Sequence, residues 1–315
     1  MRQGTISPDA CTTFKFLSRP LPPPPPSMPN ILPTELFPLR HEVSNANSAR
    51  LRALPHALHT SSHVPHKPTS TASENNKRQG LLSGILAEKT LELKKGAQVM
   101  LVKNVDEMLV NGCVGQVTGF FTYREVMNAL NGENEKRAGA TKSTGFVRNV
   151  KIGPDGCLIR VKDGVVGKEN VASGSGDGVE SKVKAKAPAP QKEEVFPMVE
   201  FPTSEGGKEA VLVMREEFKV EDSEGKVLAR RMQVPLILAW AMSIHKSQGQ
   251  TIQRVRVDLG KVFEKGQSYV ALSRAASLDG LQVLRFDPKK VMAHSKVIEW
   301  SKTLQSLESR AVKHD

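Results

Sequence analysis

The most constraining feature of this sequence is an apolar run at residues 234–239 that changes abruptly into a polar, glycine-containing stretch. The run, VPLILA, has the continuous hydrophobicity of a strand buried on both faces, as in parallel sheets. The stretch that follows, at residues 240–251, reads WAMSIHKSQGQT. A buried strand that ends in a polar turn places hydrogen-bonding groups at the carboxyl edge of a sheet, where open α/β sheets bind ligands. The sequence therefore predicts an α/β fold with a ligand site just after residue 241.

Charge and composition narrow the classes of partner. The 315 residues carry a formal net charge of +12, which favours a polyanion such as nucleic acid, although many basic proteins bind nothing specific. The cysteines are Cys11, Cys113 and Cys157, whose number and spacing fit neither a zinc site nor a disulfide framework. No apolar run approaches the ~18 residues of a membrane span. We expect a reducing compartment, no metal-ligand cluster and no membrane partner.

Short-range patterns place several other elements. Residues 34–54 predict a short strand and then a helix, on which Asn47 and Leu51 share one face because they lie four residues apart. Residues 288–307 carry apolar side chains at helical spacing, which predicts a packed helix. The proline run at residues 22–26 predicts a stiff, extended connector, with a ligand for a proline-recognising domain as the alternative.

Three motifs near the C-terminus carry a family resemblance. AWAMSIHKSQGQT at residues 239–251 is followed by GQSYVALSRA at 266–275 and SLDGLQV at 277–283. The first two resemble the last two motifs of superfamily 1 helicases, and all three together resemble the Pif-type (petite integration frequency) DNA helicases. Upstream, PTELFP at residues 33–38 and GAQVML at 96–101 resemble further blocks of this family.

The resemblance implies a fold: the second RecA-like motor domain of a P-loop nucleoside triphosphatase, with an inserted, small Src-homology-3-like β-barrel. The implied start of that domain, with a proline-rich insertion, is residues 1–60, and a flexible loop follows at 61–90. The β-rich region with the barrel is residues 91–233, with disordered loops at 131–148 and 172–194. The C-terminal part of the motor domain is residues 234–307, and the tail is 308–315.

A motor ATPase also needs a phosphate cradle, G-x-x-x-x-G-K-[ST], whose backbone amides and lysine hold the phosphates. None of the four Gly-Lys pairs is followed by Ser or Thr; these pairs begin at Gly167, Gly207, Gly225 and Gly260. We therefore expect that the first motor domain is missing from this chain and that the chain alone is inactive. Residues 1–20 resemble an internal part of the family, so we expect no targeting segment here.

The resemblance also assigns nucleotide-facing residues. Arg274 matches the arginine that reaches the γ-phosphate, a role that is worth ~10³–10⁵ in rate in phosphoryl transfer. An arginine on a helix surface, held in an ion pair, is the alternative. Gln248 and Gly249 match the nucleotide-facing part of their motif, and Arg40 is a second candidate for a phosphate contact.

A second group of residues faces DNA by the same resemblance. Ser243, His245, Lys246 and Ser247 combine short hydroxyls with cations at a turn, which suits successive phosphates of one strand. A buried, hydrogen-bonded histidine is the alternative for His245. Asn111 belongs either to this nucleic-acid face or, with Gly112, to a type I′ hairpin turn.

For the complete protein the resemblance implies a monomeric enzyme that uses ATP and Mg²⁺ to move 5′ to 3′ on single-stranded DNA and to act at DNA junctions. The implied contexts are DNA repair, recombination, and telomere or mitochondrial genome maintenance, in the nucleus, the mitochondrion or both. Two alternatives remain open: a non-enzymatic remnant that binds single-stranded DNA or a partner protein, and a fragment with no role.

Overall fold

The computed structural model describes residues 4–24, 26, 29–62, 64–65, 80–131, 146–148, 150–152, 158–160, 194–203 and 206–304. The helices are α1 (Pro8–Phe16), α2 (Arg40–Ala53), α3 (Tyr123–Asn131), α4 (Gln267–Leu272) and α5 (Ser295–Thr303). The strands are β1 (Thr34–Phe37), β2 (His59–Ser62), β3 (Val64–Pro65), β4 (Thr90–Leu93), β5 (Gln98–Leu101), β6 (Val114–Thr122), β7 (Phe146–Val147), β8 (Val150–Ile152), β9 (Leu158–Arg160), β10 (Val195–Pro202), β11 (Lys208–Val213), β12 (Glu216–Glu221), β13 (Val227–Gln233), β14 (Leu236–Leu238), β15 (Ala241–Ser243), β16 (Val255–Asp258) and β17 (Leu281–Leu284).

Four strands form a parallel sheet in the order β15-β1-β16-β17. Leu36, Val257 and Val283 lie side by side in register and are buried on one face of this sheet. They pack with Leu17, which follows α1, in a single apolar core. Because the four strands run in the same direction, their carboxyl ends meet at one edge, and Ser243 is the last residue of β15 at that edge.

Six further strands form a second sheet in the order β14-β5-β6-β10-β11-β7, in which adjacent strands run antiparallel. A separate apolar core lies against this sheet and includes the fully buried Val99, Leu101, Val211 and Val213. The remaining strands form a three-stranded sheet, β12-β13-β3, and two pairs, β2-β4 and β8-β9.

The apolar run at residues 234–239 is not the parallel strand that we expected. Its central part is β14, which pairs antiparallel with β5 in the second sheet, with Leu236 opposite Leu101. The chain then crosses at Ala239 and Trp240, and the three residues of β15 form the parallel strand. A short apolar run is equally suited to either kind of buried strand, because burial on both faces does not fix the direction of the neighbouring strand.

One buried side chain joins the two sheets at this crossing. Gln98, which is 1% exposed, donates from Nε2 to the carbonyl oxygens of Leu32 (2.9 Å) and Ala239 (3.0 Å). Its Oε1 accepts from the backbone N–H of Leu32 at 2.8 Å. The amide thus satisfies three backbone groups where neither sheet's own ladder reaches them.

The structure changes several of the expected domain bounds. The second sheet continues through β14, so the change of sheet falls at Ala239 and Trp240, not at residue 233. Residues 61–90 are not simply a loop, because they contain the end of β2, all of β3 and the first residue of β4. The strand order of the second sheet is open within the described residues, so a closed barrel is not seen there.

The C-terminal segment also differs from its prediction. The helix is shorter than expected, Ser295–Thr303, and it has no buried residue; Trp300 is 51% exposed. The predicted disordered loops at residues 131–148 and 172–194 fall largely outside the described residues, and the tail at 308–315 falls wholly outside them. In the described part of the chain, no helix is long and apolar enough to cross a membrane.

Candidate nucleotide and nucleic-acid site

The polar motif after β15 folds as a compact, hydrogen-bonded turn at the carboxyl edge of the parallel sheet. Backbone N–H groups of Ser247 and Gln250 donate to the carbonyls of Ser243 and Ser247, respectively, at 3.0 Å each. The N–H of Lys246 donates to Ser243 Oγ at 3.3 Å. Gly249 has a φ of +83°, a conformation that favours glycine, so the chain reverses there without strain. This places polar groups where the sequence predicted a ligand site.

The side chains of this turn divide into buried and exposed groups. Ser247 is fully buried and its hydroxyl donates to the carbonyl of Ile244 at 2.8 Å, while Ser243 is 4% exposed. In this conformation the two serines hold the turn together, which corrects the expectation that their hydroxyls face a phosphate. His245, unlike Ser243 and Ser247, is exposed, and its Nε2 lies 3.3 Å from Glu264 Oε2. The buried alternative for His245 is therefore wrong.

Arg274 lies beyond the helix on which it was predicted, since α4 ends at Leu272. Its guanidinium donates to the carbonyls of Val270 (3.0 Å) and Gln250 (3.2 Å) and to Ser273 Oγ (2.9 Å). No carboxylate in the described part of the chain forms a salt bridge with it, so the ion-pair alternative is not supported. Three bonds leave two of its five N–H donors available for an anion.

The contact to Gln250 ties the arginine to the polar turn. Gln250 follows Gly249 directly, and the backbone N–H of Ile252 donates to the carbonyl of Arg274 at 2.8 Å. The nucleotide-facing residues predicted in two separate motifs, Gln248 with Gly249 and Arg274, are thus brought together. Gln248 and Gly249 are both exposed.

Arg40 lines a cleft that Arg274 does not line. It is the first residue of α2 and shares a cleft of about 410 Å³ with Ser243 and Lys246. Glu88 and Glu92 also line this cleft, so its two cations face two carboxylates. The structure therefore places Arg40 in the same cleft as Ser243 and Lys246 of the predicted DNA-facing group.

Asn111 lies in a tight turn that touches the polar motif. The N–H of Cys113 donates to the carbonyl of Val110 at 3.1 Å, and Gly112 has a φ of +103°. Because Asn111 itself does not have a positive φ, the turn is of type II and not of the predicted type I′. A side chain on Gly112 would meet the carbonyl oxygen of Thr251 at 2.8 Å. The second sheet thus contacts the motif backbone directly.

Two groups at this contact are perturbed by burial. Burial raises the pKa of the Cys113 thiol above its ordinary value, so the thiolate fraction at neutral pH is small. The Oε1 of Gln250, a residue that is 3% exposed, is buried without a hydrogen-bond partner among the described atoms. The contact is close packed at Gly112, where a Cβ would lie 2.8 Å from the Thr251 carbonyl oxygen.

Sequence patterns gave only a partial signal for Asn47. Its side chain accepts from the N–H of Ala241 and donates to the carbonyl of Ala241, each at 2.9 Å. Ala241 belongs to the edge strand β15, so the amide caps backbone groups that have no neighbouring strand. The spacing of Asn47 and Leu51 predicted a shared face but not this role.

Comparison with known proteins identifies relatives of this chain. A family model described as the 2B domain of the DNA helicase Pif1 matches residues 79–120, which include β4, β5 and most of β6. The ATP-dependent DNA helicase PIF1 of Emericella nidulans is 43% identical, over 96% of this chain and 37% of that protein. The ATP-dependent DNA helicase RRM3 of Saccharomyces cerevisiae is 34% identical, over 98% of this chain and 41% of that protein.

A solved structure supports the same relationship. The crystal structure of the Pif1 helicase from Candida albicans matches with a TM-score of 0.58 and 34% identity, covering 96% of this chain and 55% of that one. The parallel sheet, its polar carboxyl edge and these neighbours define an α/β protein of the RecA-like helicase class. The chain belongs to the Pif1 helicase family. It spans about two-fifths of the length of the curated relatives that it matches.

Proposed function

We propose that this chain supplies the second motor domain and the 2B region of an ATP-dependent DNA helicase that moves 5′ to 3′ on single-stranded DNA. The observation that carries this proposal is the link between Arg274 and the carbonyl of Gln250, next to the exposed Gln248 and Gly249. An arginine held beside such a turn, with two donors left over, suits the charge that develops on a transferred γ-phosphoryl group. The second sheet is part of the small barrel in this proposal.

The chain supplies groups for only one side of a nucleotide-binding site. Arg274, Gln248 and Gly249 provide donors and an exposed backbone for phosphates, but the 315 residues contain no phosphate cradle of the G-x-x-x-x-G-K-[ST] form. ATP and Mg²⁺ are therefore held mainly by a first motor domain, and the arginine contributes charge stabilisation when the two domains close. The complete helicase acts on single-stranded DNA and junctions in DNA repair, recombination, and telomere or mitochondrial genome maintenance, as a monomer in the nucleus, the mitochondrion or both.

A second candidate is a non-enzymatic protein that binds single-stranded DNA or a partner. It is favoured by the same missing cradle together with the net charge of +12. A reconstitution experiment separates the two. The chain is assayed for DNA-stimulated, Mg²⁺-dependent ATP hydrolysis alone and after fusion behind the preceding part of the Emericella nidulans relative. The helicase proposal expects no turnover from the chain alone and turnover from the fusion. A folded fusion that binds DNA without hydrolysing ATP would favour the non-enzymatic candidate.

A further inference from the structure

A short proline-rich segment, residues 19–24, crosses the surface between α1 and β1. Its sequence is RPLPPP, and it takes no helix or strand conformation. Each proline ring fixes φ near −65°, which favours the polyproline II helix with three residues per turn. Leu21 and Pro24, three residues apart, are half-buried, while Pro20, Pro22 and Pro23 are exposed. One ridge of the segment therefore rests on the protein, and two ridges face solvent.

The backbone of this segment is held in place by the protein. Arg254 donates from Nη2 to the carbonyl of Pro22 (2.6 Å) and from Nη1 to that of Pro23 (3.3 Å). Gln282 Nε2 donates to the carbonyl of Arg19 at 3.0 Å. A polyproline segment that is already extended and anchored loses little conformational entropy when it binds.

The segment lies at the edge of the parallel sheet opposite to Ser243, the residue at which the polar turn begins. Arg254 immediately precedes β16, and Leu278, whose carbonyl accepts from Arg19, precedes β17. Both contacts are therefore at the amino edge of the parallel sheet, whereas the polar turn after Ser243 is at the carboxyl edge. A protein docked on the prolines would therefore lie at the edge opposite to Ser243.

A cation begins the segment and is held only weakly. Arg19 lies 3.5 Å from Asp279 Oδ1, and the Asp279 side chain is 92% exposed. The hydrogen bonds that Arg19 donates to the carbonyls of Leu278 and Pro20 are both long, at 3.4 Å. The Arg19 side chain is 24% exposed and its guanidinium lies 5.6 Å from the centre of the Phe16 ring, so a partner carboxylate would replace Asp279 on the exposed side of the guanidinium.

We propose that residues 19–24 are a docking site for a separate protein that carries a proline-recognising domain of the Src-homology-3 type. Such domains bind proline segments in aromatic-lined grooves. The exposed ridge of Pro20 and Pro23 fills the groove, and Arg19 pairs with an acidic group beside it. The charge of the chain favours an acidic partner surface. This inference does not depend on helicase activity.

The test titrates the chain with a purified Src-homology-3 domain that takes arginine-first proline ligands, using isothermal calorimetry. We expect saturable binding, at least as tight as that of a free peptide of residues 18–24, because the folded chain presents the segment already extended. The double variant Pro20→Ala/Pro23→Ala and the single variant Arg19→Glu should each weaken binding at least tenfold. Pro29→Ala, an exposed proline outside the segment, should not change it.

Circular dichroism confirms that each variant is folded, and Lys226→Ala, in an exposed turn, should leave binding of the domain unchanged. Three results would overturn the inference. The first is a peptide that binds while the folded chain does not, which would mean that the segment is occluded. The second is binding that ignores both Arg19→Glu and the double proline variant. The third is self-association of the chain that the double proline variant abolishes, which would make a second copy the occupant.

Discussion

At the scale of single residues, the site depends on contacts that hold side chains before any ligand binds. Arg274 is held by Gln250, and the residue after Gln250, Thr251, touches Gly112 of the second sheet. A continuous path of contacts therefore joins the second sheet to the arginine. The serines of the motif belong to this supporting layer, since Ser247 is buried and bonded to its own turn.

Gly112 is the residue where this path is most restricted. Gly112→Ala adds a methyl group 2.8 Å from the Thr251 carbonyl oxygen, at a residue whose φ is +103°. Gly225→Ala is a matched control, with a φ of +80° and open space around its Cβ. We expect the control to cost roughly 1–2 kcal/mol from the left-handed conformation alone, and Gly112→Ala to cost clearly more. If urea unfolding gives the two variants the same loss in the free energy of unfolding, the close approach of Gly112 to Thr251 does not affect stability.

Asn47 tests the capping of the edge strand. Asn47→Ala removes both bonds to Ala241 and leaves its backbone N–H and carbonyl unsatisfied, so we expect a loss of about 1–3 kcal/mol in the free energy of unfolding. Asn45→Ala, on the exposed side of the same helix, should be nearly neutral. A neutral Asn47→Ala would mean that water replaces the amide without loss.

At the scale of elements, the turn after β15 presents one cation to the cleft. We expect binding of single-stranded DNA by this chain to be weak, because Arg40 and Lys246 face Glu88 and Glu92 across the cleft. Its affinity should fall with salt, with a log–log slope of about −0.7 per phosphate neutralised. Lys246→Ala should weaken binding and make the slope shallower.

The control for this prediction removes the same charge elsewhere. Lys226 lies in an exposed turn between β12 and β13. Lys226→Ala should therefore have little effect on binding or on its salt dependence. DNA binding that ignores salt, or that responds equally to the two lysines, would argue against a site at the turn.

Some elements were predictable from sequence because their signals are local. The strand and helix at residues 34–54 were confirmed as β1 and α2, and the polar turn lies at a sheet edge as expected. The antiparallel pairing of β14 was not predictable, because an apolar run carries no information on its neighbour's direction. The approach of Gly112 to Thr251 is equally a product of tertiary packing, since the two are far apart in sequence.

For the site as well, a local motif identified the candidate residues, whereas their burial and contacts depend on tertiary packing. The motif resemblance singled out Gln248, Gly249 and Arg274; the structure brings these residues together, and their contact with a nucleotide stays a prediction. It could not show that Ser243 and Ser247 are buried, because their burial depends on how the turn folds back on β15. Arg40 was matched to the nucleotide by its place in the sequence; it lies at the start of α2 and lines the cleft with Lys246, and its phosphate contact stays a prediction.

At the scale of the whole molecule, the proposed function makes this chain one side of a nucleotide site. The polar turn begins at the carboxyl edge of the parallel sheet and holds Arg274 through the carbonyl of Gln250, and the turn between β5 and β6 lies against it at Gly112. In the proposed helicase, turnover requires a first motor domain to bring the phosphates to Arg274, so the decisive experiment uses the fusion with the Emericella nidulans part.

The measurement is kcat and the nucleotide Kd of that fusion for wild type, Arg274→Ala and Arg274→Lys, with circular dichroism to confirm folding. We expect Arg274→Ala to lower kcat by roughly 10³ or more and to weaken ATP binding only modestly, because the contact strengthens in the transition state. Lysine should rescue poorly, since it lacks the planar fork of donors. Arg52→Ala, an exposed arginine of α2, should leave kcat unchanged. A folded Arg274→Ala variant that keeps a near-wild-type kcat would contradict the account and make Arg40 the next arginine to test.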